Sequence, residues 1–267
     1  MRRARIGVAA VLVVLLAGCG GGGGHPRRDA VNAYFVKVDS AEAPLLNRRI
    51  VIENALRTFS MRTNTPAEVK ALKQGQKQIL AAERAVAAIE PPADARKIHA
   101  DLLALLRLEA SLTGELVLTT SYAPQLRAAL APTAPAGTGL SKELRTAKGW
   151  SAQADAFAAY REALEPVVAK LDTLTAPPVL APTLQGERAA LRRRIALSAT
   201  VERALRKKDV KAANAAISSL FAIGSDAVRT RNAEIAAARA YNARITRVSV
   251  LTAAVAKERE RLVKAIG

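Results

Sequence analysis

Residues 150–206 read WSAQADAFAAYREALEPVVAKLDTLTAPPVLAPTLQGERAALRRRIALSATVERALR and carry helical apolar patterns on both sides of Pro177-Pro178. In the first pattern the apolar residues recur in alternating steps of three and four, the spacing of a helix that packs along one face: Phe157, Tyr160, Leu164, Val167, Leu171 and Leu174. A proline pair removes backbone donors and forces the residue before it into an extended conformation, so it ends a helix. The stretch therefore predicts a helix, a Pro-Pro corner and a second helix antiparallel to the first.

An earlier stretch has the same form around Pro91-Pro92. A helical pattern precedes it from Pro66 to about Ile89, and another follows from near Asp94 to about Tyr122. Placing Pro91-Pro92 on Pro177-Pro178 gives an offset of 86 residues, since 178 minus 92 is 86. The pattern predicts two helix–ProPro–helix repeats, and independent use of Pro-Pro as a helix stop is the alternative.

The rest of the chain also has helical periodicity. A helix is predicted from Asp29, as N-cap, to about Ser60, with a break at Pro44. Asp209 is expected to cap a short helix, and a long helix is expected from Ser225 or Asp226 to about Ile266. Half of the residues are apolar but only 3% are aromatic, a composition that suits close-packed helices better than sheets. The fold class predicted is an all-α bundle of about six or seven helices.

One composition break divides the pattern. Residues 131–141, rich in Pro, Gly and Thr, are predicted to form a flexible loop or linker between a first helical half, 29–130, and a second, 142–267. The two halves could form one bundle or two domains. Trp150 follows this break and is expected to plug a gap in the packing of the second half.

The N-terminus begins with Arg2, Arg3 and Arg5, continues with an apolar run at 6–17, and closes on Leu16-Ala17-Gly18-Cys19. The run has the length of a signal-peptide core and is too short to span a bilayer as a helix. Small residues before a cysteine suit a peptidase cleft, and the thiolate is a strong nucleophile for acylation. This tetrapeptide resembles the lipobox of bacterial lipoproteins.

The resemblance implies that residues 1–18 are cleaved between Gly18 and Cys19, that Cys19 carries the lipid, and that the protein is anchored to the extracytoplasmic face of the cell membrane. Residues 19–28 would then be a glycine-rich tether. The arginine pair at the start leaves general secretion or twin-arginine export open. The architecture resembles that of uncharacterised helical lipoproteins of high-GC Gram-positive bacteria, a likeness that implies no functional residue besides Cys19.

The formal net charge is +18. Export and the scarcity of aromatic residues argue against nucleic acid as the partner, so anionic lipid, an acidic wall polymer or an envelope protein is expected instead. The predicted contact surface is the helix after Pro178, whose outer face is basic: Arg188, Arg192, Arg193, Arg194, Arg203, Arg206, Lys207 and Lys208. A GC-rich genome that favours arginine codons is an equal explanation.

No phosphate loop, nucleophile elbow, haem motif or Glu-x-x-His pair occurs in the sequence. We therefore expect no enzyme, no metal and no cofactor. His99 is expected to be a cap or a hydrogen-bonded core residue beside Asp101. Two functions remain: a membrane-anchored interaction or scaffold bundle, and a module that holds a small apolar or lipid-like ligand between leucine-rich helices.

Overall fold

The computed structural model describes residues 26–46, 49, 52, 54, 65–223 and 227–266. Within these ranges every regular element is helical and no strand occurs, which confirms the predicted all-α bundle. The α-helices with described bounds are α1 Pro26–Glu42, α2 Pro66–Ala87, α3 Arg96–Leu130, α4 Thr133–Thr146, α5 Trp150–Asp172, α6 Ala181–Arg206, α7 Val210–Phe221 and α8 Ala227–Ile266. Cys19, Gly18 and the signal segment lie outside the described residues.

Both Pro-Pro corners join antiparallel neighbours, as predicted. Helices α2 and α3 pack together, and so do α5 and α6. In the first pair, Glu83 contacts Arg107 and Gln76 lies against Gly114. Residue numbers decrease along α2 as they increase along α3, which is the register of an antiparallel pair.

The corners share a backbone form. A short 3₁₀ turn follows each one, at Ala93–Ala95 and Pro178–Leu180, after an extended proline. The proline before each turn is Pro92 in the first corner and Pro177 in the second. The structural offset is therefore 85 (177 minus 92), and the predicted register of 86 is wrong by one residue at the corners.

Three apolar cores follow one another through the bundle. The first core joins α1, α2, the 98–116 part of α3 and the 241–262 part of α8. The second joins the end of α3 to the halves of α5 and α6 that lie next to their corner. The third lies at the other end of the α5–α6 hairpin, where α4 and α7 cover it. Helix α3, with 35 residues, connects the first core to the second.

Local signals set several helix ends. Thr65 and Glu68 form the capping box expected from their spacing, and Asp209 accepts a hydrogen bond from the Ala212 amide at the start of α7. Pro44 lies in a 3₁₀ turn that follows the end of α1, which agrees with the predicted break. Helix α1 begins at Pro26, however, so Asp29 lies in its first turn instead of capping it. Residues 26–28 accordingly belong to α1 and not to the predicted tether.

The predicted loop at 131–141 is wrong, because residues 133–146 form α4. Pro135 lies in the first turn, where a missing amide donor costs no helical hydrogen bond. Leu140 and Leu144, four residues apart, pack on the third core. This tertiary contact stabilises a helix that a Gly- and Pro-rich sequence would not form alone.

Trp150 was expected inside the packing of the second half, and this expectation is also wrong. The residue is the first of α5 and keeps 39% of its surface exposed. Phe157, two turns later, is the aromatic residue that fills the third core.

Candidate functional site: the basic surface of helix α6

Helix α6 turns its apolar residues inward and its basic residues outward. Leu184, Leu191, Val201 and Leu205 are each at most 3% exposed. Their helical spacing leaves the remaining positions at the rim and on the outer face. The structure therefore distributes six of the eight predicted basic residues along about 27 Å of α6, by the rise per residue, and Lys207 and Lys208 follow in the turn after it.

Arg188, near the corner, is a structural residue. Its guanidinium donates hydrogen bonds to the Leu171 carbonyl at 2.6 and 3.2 Å and to the Leu174 carbonyl at 3.1 Å. Leu171 lies in the last turn of α5 and Leu174 follows its end, so the cation lies at the negative end of the helix dipole. Arg188 thus fastens α6 to the end of α5.

Arg192, one turn further on, pairs with α5 through Asp172. Its Nη2 lies 2.9 and 2.8 Å from the two carboxylate oxygens. Arg188 Nε lies 3.3 Å from the same carboxylate. Asp172 therefore neutralises part of the positive charge in this half of α6.

Arg206, the last residue of α6, pairs with Asp155 of α5 at 3.0 Å and with Glu202 of its own helix. Glu202 also lies 3.7 Å from Arg161. These two carboxylates neutralise part of the positive charge at this end. Both side chains of the Asp155–Arg206 pair are exposed, so solvent screens the attraction between them.

Arg203, Lys207 and Lys208 form the least neutralised part of the surface. All three are exposed. Arg203 donates only to the Ala199 carbonyl and the Thr200 hydroxyl of its own helix. Among the described residues no carboxylate contact is found for these three cations. Lys208 has a φ of +57° in the turn between α6 and α7.

Arg193 and Arg194 lie between these groups. Arg193 is exposed and already has an interaction partner, and Arg194 is half-buried. The structure therefore divides the predicted surface into a corner half, where Arg188 and Arg192 bind α5, and an end where Arg203, Lys207 and Lys208 are exposed and contact no carboxylate of the described residues.

In the sequence, the acids near the basic residues of α6 are Glu187, Glu202 and Asp209, and nothing local indicates that Asp155 and Asp172 also lie beside them. The missed carboxylates belong to α5 and reach α6 only because the hairpin is antiparallel. The signal that could have found them is the predicted antiparallel pairing of α5 with α6, although folding about the Pro-Pro corner places Asp172 opposite 183 and Asp155 opposite 200, five or more residues from their partners.

A second charged group, also missed, lies in the first half. Glu109 and Glu115 of α3 are 4% and 8% exposed. Arg49 lies 3.4 Å from Glu109 and 3.5 Å from Glu42, and Arg244 of α8 pairs with Glu115 while donating to Ser111 at 2.8 Å. Burial raises the pKa of Glu42, against the opposing effect of Arg49.

Another polar contact, beside the first core, joins α1 to α8. Arg259 donates to both carboxylate oxygens of Asp39, at 2.8 and 2.7 Å, and its guanidinium carbon lies 4.7 Å from the centre of the Phe35 ring. A bidentate pair combined with a cation–π contact is geometrically specific. It fastens the end of the chain to α1.

His99 contacts Tyr34 and not Asp101. The Tyr34 hydroxyl lies 3.4 Å from His99 Nδ1, while Asp101 pairs with Lys97. Burial lowers the pKa of His99 and is the largest cause that raises the pKa of Tyr34 to about 12. His99 is therefore half-buried and hydrogen-bonded, with a different partner from the one expected.

The interactions that these groups make are mainly ion pairs and hydrogen bonds. In the described part of the chain, no three His, Cys, Asp or Glu side chains cluster as metal ligands would. Nor is any helix there long and apolar enough to cross a membrane. An open groove of about 550 Å³ runs along α2 beside three exposed lysines, Lys70, Lys73 and Lys77.

Comparison with protein-family models, with curated proteins and with solved structures gives no match. A functional proposal for this chain therefore rests on its own sequence and contacts.

Proposed function

We propose that this protein is a lipid-anchored helical bundle of the bacterial cell envelope, held at the extracytoplasmic face of the membrane, and that it acts as an interaction or scaffold protein. The observation that carries the proposal is the N-terminal sequence. Basic residues, an apolar run at 6–17 and Leu16-Ala17-Gly18-Cys19 occur in the order of a lipoprotein signal. Cys19 is the only cysteine of the chain.

The partner proposed is an anionic surface, lipid or acidic wall polymer, which contacts the exposed end of α6. Arg203, Lys207 and Lys208 support this, because they are exposed and have no carboxylate contact among the described residues. A basic group near an anionic membrane gains about 1 kcal/mol per charge. Arg188 and Arg192 contribute less, because they are engaged with α5.

The anchor is tested by labelling cells that express the protein with a fatty-acid analogue. The native chain is expected to incorporate the label and to fractionate with membranes. Cys19→Ala should abolish the label and leave the chain unprocessed or released. Ala17→Ser serves as a control, because a small residue remains before the cysteine and labelling should persist. Equal labelling of the Cys19→Ala variant would disprove the anchor.

The surface is tested with the chain from Gly20 to Gly267, which contains every described helix but no lipid. Binding to phosphatidylglycerol vesicles or to teichoic acid should be measurable at low salt and should weaken as salt rises, because salt screens charges over about 10 Å. The triple variant Arg203→Gln, Lys207→Gln and Lys208→Gln should weaken binding at least tenfold.

Arg192→Gln is the matched control on the same helix, since its charge is already paired with Asp172. It should change binding less than twofold. Binding that is insensitive to both salt and the triple substitution would show that the end of α6 is not the contact surface.

A further inference from the structure

The only tryptophan of the chain is at the surface. Trp150 is 39% exposed at the first position of α5, directly after Gly149, whose φ is +87°. In a chain with 3% aromatic residues, this large ring is not used to fill a core. Tryptophan pairs a broad apolar face with one N–H donor, a combination suited to the boundary between an apolar phase and water.

The register of the α5–α6 hairpin shows what lies beside Trp150. Asp155 pairs with Arg206, the last residue of α6. Trp150 precedes Asp155 by five residues, about 7 Å along the helix axis. It therefore lies beyond the end of α6, level with the turn that leads into α7. We call residues 148–150 and 207–211 the hairpin tip.

The hairpin tip combines apolar and basic groups. Val210 is 50% exposed. Four lysines are exposed around it: Lys148, Lys207, Lys208 and Lys211. The single carboxylate of these residues belongs to Asp209, which caps α7 through its bond from the Ala212 amide. The net charge of the hairpin tip is therefore +3, four lysines against one aspartate.

We propose that the hairpin tip is a second membrane-attachment point, which inserts Trp150 and Val210 into the headgroup region of an anionic bilayer. The proposal rests on the proposed function and specifies the anionic surface as a bilayer instead of a wall polymer. A hydrated polymer supplies charge but no apolar phase for an indole ring. A bilayer interface supplies both, with anionic headgroups for the lysines and an interfacial layer in which tryptophan is enriched.

The attachment point lies at the end of the hairpin that is farthest from its Pro-Pro corner. The third core is there, whereas α1, the helix nearest to Cys19 in the chain, packs in the first core. Contact at both places would hold the bundle to the membrane at two separated points. A second contact would fix the orientation of the bundle on the membrane surface, which a lipid at Cys19 alone does not do.

Intrinsic fluorescence tests the insertion without any substitution, because the signal comes from Trp150 alone. The chain from Gly20 to Gly267 is mixed with phosphatidylglycerol vesicles or with phosphatidylcholine vesicles. With the anionic vesicles, the emission should shift to the blue and should be quenched by lipids that carry bromine near the headgroup. Phosphatidylcholine vesicles should leave the spectrum unchanged.

Cosedimentation of variants separates insertion from charge attraction. Trp150→Ser and Val210→Ser, which leave the net charge unchanged, should each weaken binding to anionic vesicles by about tenfold, from the loss of apolar transfer. Trp150→Phe should retain most of the binding. Phe221→Ser is the matched control: Phe221 is 82% exposed at the other end of α7, about 16 Å from Val210, and its loss should change binding less than twofold. Circular dichroism confirms that each variant is folded.

Four other outcomes would contradict the insertion of Trp150, and each has a different consequence for the proposed function. Salt-sensitive vesicle binding with unchanged Trp150 emission would leave the anionic surface of the proposed function intact. Binding to teichoic acid but not to vesicles would point to the wall polymer. A concentration-dependent dimer lost in Val210→Ser, without vesicle binding, would assign the tip to self-association. Absence of binding to vesicles and polymer alike would overturn both proposals about the surface, while leaving the lipid on Cys19 to its own labelling test.

Discussion

The two Pro-Pro hairpins have the same corner and the same antiparallel packing, yet they use charge in different ways. In the first, α3 buries 15 of its 35 residues, including Glu109 and Glu115, which pair with arginines distant in the chain. In the second, α6 buries six of its 26 residues, and its Arg192 and Arg206 pair with the adjacent α5 or with their own helix. The place of a helix in the bundle, more than its local pattern, decides whether its charges are structural or available to a partner.

The largest effects are expected from matched cavities in the two hairpins. Leu106 and Leu191 are 0% and 1% exposed and correspond at the structural offset of 85. Leu106→Ala and Leu191→Ala should each lower the free energy of unfolding by about 3 kcal/mol, from lost transfer energy and the remaining cavity. Urea unfolding measures this.

The same pair of variants tests whether the halves fold together. In one cooperative bundle, both substitutions shift a single transition. Two transitions, each shifted by only one of the variants, would show that the halves unfold independently, as two separate domains.

Removing a cross-helix partner of α3 should be the next largest effect. Arg244→Met leaves the Glu115 carboxylate buried without its cation, and stability should fall by about 2–3 kcal/mol. The double variant Arg244→Met with Glu115→Leu should recover most of the loss, because no buried charge remains. A single-variant loss below about 0.5 kcal/mol would mean that water satisfies Glu115 and that the pair is not a structural tie.

A smaller effect should distinguish two basic residues of α6. Arg188→Gln removes the donor to the Leu171 and Leu174 carbonyls and should cost about 1 kcal/mol. Lys207→Gln should change stability by less than about 0.5 kcal/mol, as surface substitutions do. In vesicle binding the order should reverse, with Lys207→Gln the more damaging. Equal stability losses would show that α6 has no division between structural and exposed cations.

The smallest effect concerns pH and belongs to the first hairpin. Burial lowers the pKa of His99 from its ordinary value of 6.5. The unfolded chain therefore binds more protons in mildly acidic solution, and the contribution of His99 to stability is present above pH 6.5 and is lost as the pH falls through the lowered pKa. His99→Gln should flatten the decrease in stability on acidification below pH 6.5. If His99→Gln leaves the pH dependence of the free energy of unfolding unchanged, carboxylates cause the decrease instead.

Much of the fold could be predicted because its signals are local. Helix periodicity, the capping box at Thr65 and Glu68, the cap at Asp209 and the two proline pairs each act within a few residues. The failures at 133–146 and at Trp150 have one cause. Both the helix at 133–146 and the exposure of Trp150 depend on packing in the third core. Leu140 and Leu144 pack against that core, and Phe157 fills it in place of Trp150.

The basic surface was predictable as a list of residues but not as a site. The sequence placed eight cations on one helix, and neighbours in space then changed their roles. Asp172 and the end of α5 engage Arg188 and Arg192, while Asp155 engages Arg206. Among the described residues, only Arg203, Lys207 and Lys208 of the eight are exposed and make no contact with a carboxylate.

The sequence by itself determined the helical class, the two corners and the lipoprotein-like N-terminus, since each depends on short-range stereochemistry or on a contiguous motif. Tertiary structure alone decided which charges are buried, which are paired and where Trp150 lies. Those properties depend on partners 50 to more than 200 residues away, such as Asp155 with Arg206 and Asp39 with Arg259. The free energy of a charge depends on its solvation and on its neighbours, and only the packed bundle specifies both.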